Sequence, residues 1–104
     1  MQVLDHEPHT WFLLSSGEDL LFDVNVSHGA VSASMTIALD ADERAALDGE
    51  GRGYLTRLAQ EIQDSIPLRA DAGSPYRPRN LAPTVGTAVS QAVVAWRAGS
   101  DVQG

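Results

Sequence analysis

The groups able to do chemistry in this chain are three histidines, fourteen acidic side chains and seven arginines, with neither cysteine nor lysine. His6 and His9 flank Glu7 and Pro8, and a metal would need three or four converging ligands. Two histidines three apart share a side only on a helix, which Pro8 disfavours. With Asp23 or His28 from a neighbouring strand the set would suit zinc by ligand type. Exposed terminal histidines are the simpler expectation, so no metal and no cofactor is expected. His28 followed by Gly29 reads as turn chemistry rather than as a general base. Nucleophile signatures are missing, since there is no GxSxG elbow, no thiol and no Schiff-base lysine. GEGRG at residues 49–53 follows no strand and has the spacing of neither a dinucleotide nor a Walker loop. The acid pairs Glu18–Asp19 and Asp42–Glu43 are accounted for by a turn and a helix start. Paired catalytic carboxylates need an enclosing cleft that so small a domain hardly offers. A catalytic role is therefore not expected, and a small enzyme or ligand-binding domain using His6, His9, Asp23 and His28 stands only as a third reading.

Charge is more informative than any motif. The formal net charge is -7, but residues 1–50 carry ten acids against Arg44 alone, while residues 51–104 carry four acids and six arginines. An acidic surface repels phosphate backbones and anionic lipid, so neither nucleic acid nor membrane is expected as a partner, whereas a basic protein would be attracted. With 104 residues and 43% hydrophobic composition, one domain over 1–104 with one core is the expectation, and no apolar run approaches the ~20 residues of a membrane span. The opening MQVLDHEPH lacks the basic and apolar regions of a signal peptide, which predicts a cytoplasmic location.

The elements that must position these groups follow from apolar periodicity. Trp11–Leu14 ends at Ser15-Ser16-Gly17, predicting a strand over about 10–15 and a turn. Phe22, Val24 and Val26 alternate with Asp23, Asn25 and Ser27, and Val31 to Leu39 alternates for nine residues, predicting strands over about 20–27 and 30–39. Residues 2–5 carry too little pattern to assign. Asp40 with Glu43 forms an acidic capping box, opening a helix over about 41–65 with Leu47, Tyr54, Leu55, Leu58 and Ile62 on its apolar stripe. One helix is favoured over two, with Gly51 on the buried stripe, and a break near Gly49 is the alternative. Residues 67–83 hold four prolines and three arginines and read as a surface loop. Val85, Ala88, Val89, Ala92, Val93 and Trp96 predict a helix over about 84–98, with Thr84 as cap and Gly99 as stop. The expected fold is α+β, a three-stranded antiparallel meander packed on one face by two helices.

Two surfaces then become candidates for partner binding. One is the outer sheet face and its rim, with Glu18, Asp19, Asp23 and Asn25. The other is the loop with Tyr76, Arg77 and Arg79, residue types enriched at interfaces, unless those arginines pair with the acidic half. Trp11 and Tyr76 would serve as anchors if exposed.

With its WFL start at residues 11–13, DVNVSHGAVSAS at 23–34 and GRGYLTRLAQEI at 51–62, the chain resembles small bacterial immunity proteins that neutralise secreted polymorphic or contact-dependent toxins. The resemblance covers residues 9–65 in general plan, and no residue role is carried over from it. It implies a non-enzymatic inhibitor that blocks a toxin's active site or an essential surface, and an acidic half is complementary to a basic nuclease toxin. The second reading is a homo-oligomer, such as a homodimer, or an accessory or regulatory subunit, whose sheet edge or outer face is covered by its own copies, since a meander leaves two edges open.

Overall fold

The computed structural model describes the backbone of residues 1–103 and the side chains of residues 1–99. Strands β1 (Gln2–Glu7), β2 (Trp11–Ser16), β3 (Asp19–His28) and β4 (Val31–Ala38) form one antiparallel sheet in sequential order. The α+β class and the meander are as expected, but the sheet has four strands. Strand β1 escapes a periodicity reading because its register slips between Val3 and Asp5, so that Val3 pairs with Leu14 while His6 pairs with Phe12. The bulge leaves Leu4 half exposed and erases the alternation by which a strand is recognised.

The helices lie on opposite faces of the sheet, which corrects the expectation of two helices on one face. Helices α1 (Ala41–Glu50) and α2 (Arg52–Asp64) follow β4, and Leu55, Leu58, Ala59 and Ile62 of α2 bury against Trp11, Leu13, Phe22, Val24, Val26, Met35 and Ile37. The spacing i, i+3, i+4, i+7 puts the α2 residues on one stripe, and each fully buried leucine or isoleucine contributes about 1.5–3 kcal/mol. On the opposite face, Val3, Leu14 and Leu21 pack against Val89 of α3 (Ala82–Gln103), with Phe12, Val85, Ala92, Val93 and Trp96 closing around them. The apolar runs Trp11–Leu14 and Leu20–Phe22 do not alternate because both faces of the sheet are covered there.

The region expected as one helix is two. The capping box at Asp40 forms as expected, with Glu43 N–H donating to Asp40 Oδ1 at 2.8 Å and Asp40 N–H to Glu43 Oε1 at 2.9 Å. The break falls at Gly51, which adopts φ 70° and ψ -155° and is an exposed cap rather than a close-packing point, since no atom lies within 4 Å of where a Cβ would stand. That conformation is essentially reserved to glycine. Gly51→Ala is therefore expected to destabilise the protein by about 1–3 kcal/mol despite the open space. Gly53→Ala, inside α2 and also facing open space, is expected to stabilise it by up to about 1 kcal/mol. Urea midpoints of the two variants moving in the same direction would refute this account of the break.

Helix α2 ends where Ile66, at φ 53°, precedes Pro67. The following segment contains 3₁₀ turns at Ala70–Ala72 and Arg77–Arg79 and carries the chain around the β4 edge to the other face. There Leu81 N–H donates to Thr36 O at 2.7 Å and Thr36 N–H donates to Asn80 Oδ1 at 3.1 Å. Asn80 Oδ1 also accepts from Ala82 N–H, so α3 starts two residues before the expected Thr84 cap. It also continues through Gly99 instead of stopping there. Among the described residues no helix is long and apolar enough to cross a membrane.

Candidate functional site

Glu18 and Asp19 are brought together at the tight turn joining β2 to β3, where Gly17 takes φ 60°. The chain then returns to this end of the sheet, because Leu39 N–H donates to Leu20 O at 2.9 Å. That bond sets Asp40 and Asp42, at the start of α1, beside the turn, and Arg44 Nη1 donates to Glu18 O at 2.8 Å to hold turn and helix together. Glu18, Asp19, Asp40 and Asp42 are all exposed, and among the described residues none enters an ion pair. Asp42 is legible in the sequence as a first-turn acid, but its place beside Glu18 depends on the Leu39–Leu20 bond.

Asp23 and Asn25 are separated from that end and lie on the α3 face of β3. They line a pocket of about 260 Å³ together with Phe12, Ser34 and, from α3, Arg97. Across the strands Asp23 stands between Phe12 and Thr36, and Thr36 Oγ1 donates to Asp23 Oδ1 at 2.8 Å. Burial pushes the Asp23 carboxyl above its ordinary value of 3.8, and the Thr36 hydrogen bond only partly opposes this. A carboxyl whose folded value is raised binds its proton more readily folded than unfolded, so its ionised form weakens the fold at neutral pH. Stability is regained as pH falls through the raised value towards 3.8. Asp23→Asn keeps an acceptor for Thr36 and removes the charge. It is expected to melt above the wild type at pH 7, with the gap closing below the ordinary carboxylate range. A melting point at or below wild type at pH 7 would contradict the assignment. The outer face is thus no open acidic patch. It is an apolar helix seat with a small polar pocket, and Phe12 and Arg97 are the pocket residues that strand alternation did not reveal.

The loop residues are engaged internally. Arg79 donates two hydrogen bonds to the Glu43 carboxylate and one to Ala38 O at 2.9 Å, and its guanidinium lies 5.9 Å from the centre of the Tyr76 ring. Arg77 Nη1 donates to Pro67 O at 2.7 Å, and the Tyr76 hydroxyl donates to Glu61 at 3.3 Å. Burial raises the Tyr76 phenol above its ordinary value, and the Glu61 carboxylate adds to the shift. Arg79 and Tyr76 therefore fasten the loop to α1 and α2. Trp11 is 1% exposed and lies under the guanidinium of Arg52 at 5.4 Å, with no hydrogen-bond partner for its Nε1–H, so it is a core residue and no surface anchor.

The histidines do not converge. His6 stacks on Phe12 at 5.5 Å and meets Trp96 edge-on at 4.6 Å, His9 occupies the β1–β2 turn at φ 63°, and His28 ends β3. Among the described residues no three of His, Asp or Glu are grouped so as to hold a metal ion. What this geometry offers is an acidic end of the sheet, four carboxylates around the single guanidinium of Arg44, and a polar pocket. Set against known protein families, curated proteins and solved structures, the chain matches none.

Proposed function

We propose that the protein is a non-enzymatic binding module that engages a basic protein partner through the acidic end of its sheet, with immunity-type inhibition of a bacterial toxin as its specific form. The observation that carries the reading is the distribution of ion pairs. Arg52 pairs with Asp5 and Glu7, Arg57 with Glu50, Arg69 with Asp71 and Arg79 with Glu43, so these arginines answer acids elsewhere. Among the acids left without an ion pair, Glu18, Asp19, Asp40 and Asp42 gather at one end of the sheet around the single guanidinium of Arg44, where the net field is negative. Such a field steers an oppositely charged partner and accelerates its association.

The test is affinity capture at low and high salt, followed by co-expression of the captured protein with and without this chain. The expected result is one basic protein held at low salt, released at high salt, and toxic only when expressed alone. Capture that is insensitive to salt, or a partner without net positive charge, would overturn the reading.

A further inference from the structure

We infer that β4 is a self-association edge, on which a second copy of the chain adds its own β4 antiparallel across a two-fold axis at Ala33. This is independent of the partner reading, since the acidic turn lies at the opposite end of the β3–β4 ladder.

Thr36 turns both its N–H and its C=O away from β3, to Asn80 and Leu81. The β3–β4 register runs without a bulge, and outward-facing residues alternate along an antiparallel strand, so Ser34 and Ser32 turn their main-chain groups outward as well. Among the described residues no other segment hydrogen-bonds to the outward main-chain groups of Ser32 and Ser34. Natural sheets protect such edges with charges, prolines or bulges, and Val31–Ala38 has none of these. From Val24 to Leu39 there is no Asp, Glu, Lys or Arg, so in a chain of charge -7 pairing along this strand sets no like charges face to face.

The free stretch, Val31–Met35, is bounded by the turn at Gly29 and by the Asn80–Leu81 bonds to Thr36, and its midpoint is Ala33. With the two-fold at Ala33, Ser32 of each copy lies opposite Ser34 of the other, and both pairs exchange both main-chain bonds. The same register sets Val31 of one copy opposite Met35 of the other. Val31 is 61% exposed, and the buried Met35 borders a pocket of about 270 Å³ beside the edge, whose walls are Ala33, Pro67 and Leu68 with Arg77 and Asn80 at its polar side. Knob and hole sit four residues apart on one strand, so the symmetric pairing fills both holes at once, as an isologous interface requires.

The chain has no cysteine, which permits a direct test. Ala33→Cys places two thiols across a non-hydrogen-bonded pair with Cα atoms about 4.5 Å apart, within disulfide reach. Air oxidation of this variant is expected to give a covalent dimer, while Ala45→Cys on the exposed side of α1 gives little. Light scattering of the unmodified chain should show a dimer, its dissociation constant raised at least about tenfold by Val31→Asp and more by Ser34→Pro. Both positions are exposed, and unchanged circular dichroism would confirm that the variants fold. A monomer at all concentrations, a dimer indifferent to both substitutions, or cross-linking no greater at position 33 than at 45 would overturn the proposal.

Discussion

Replacing Arg79 with alanine is expected to lower the unfolding free energy by about 2–3 kcal/mol, or roughly 10–20 °C in melting temperature for a domain of this size. The reason is that several interactions converge on one semi-buried guanidinium. The Glu43 side chain is only 11% exposed and that of Arg79 31%, so their pairing is less screened than an ordinary surface pair. Without the guanidinium, the Glu43 carboxylate keeps the Asp40 N–H of its capping box but loses its counter-charge, Ala38 O loses a donor, and the Tyr76 ring loses its cover. The substitution also loosens the segment that closes the β4 edge at Thr36. Arg79→Lys is expected to recover less than half of the loss, because an ammonium cannot reproduce the fork to Glu43 while also reaching Ala38 O. Arg69→Ala removes a pair whose side chains are 51% and 70% exposed, and should cost no more than about 0.5 kcal/mol. Thermal and urea unfolding of the three variants distinguish the cases. An Arg79→Ala protein that unfolds like Arg69→Ala would show that the loop is not fastened by this arginine.

The double reversal Glu18→Lys with Asp19→Lys is expected to slow association with a basic partner on the order of 10- to 100-fold at low salt, with little change in dissociation. Both side chains are exposed and make no side-chain hydrogen bond among the described residues, so stability should stay within about 0.5 kcal/mol of wild type. The effect should shrink towards 1 M salt, where the screening length falls to about 3 Å. The same change in charge placed at Asp64 and Asp71 tests position against total charge, since it leaves the sheet end intact. Stopped-flow association rates reduced equally by the two double variants would rule out a localised acidic site.

Much of the architecture is legible because local chemistry and tertiary context agree. The alternation in Phe22–Val26 and Val31–Leu39, the capping box of Asp40 and Glu43, and the Leu55–Ile62 stripe each declare an element within one segment, and each appears in the fold. The turn acids Glu18 and Asp19 are legible as surface for the same reason. Where expectation and structure part, the deciding interaction lies far away in sequence. Strand β1 is held by pairing across a bulge, and its own residues have no strict period. Helix α3 has an apolar stripe that any flat apolar surface would satisfy, and it is placed opposite α2 because Phe12, Leu14 and Leu21 leave a second apolar face to cover. Asp23 reads as an open surface carboxylate but lies in a pocket, since burial is conferred by what packs beside a strand and not by the strand's own pattern. Arg77 and Arg79 have the composition of an interface, but the reach from Arg79 to Glu43, 36 residues back in the chain, makes it part of the fastening. The sequence by itself determined strands β2 to β4, the Asp40 cap, the apolar stripe of α2 and the excess of negative charge, because these depend on neighbours within a few residues. Tertiary structure alone decided which face each helix covers, which acids remain uncompensated and which strand edge stays open, because these depend on pairings between distant segments.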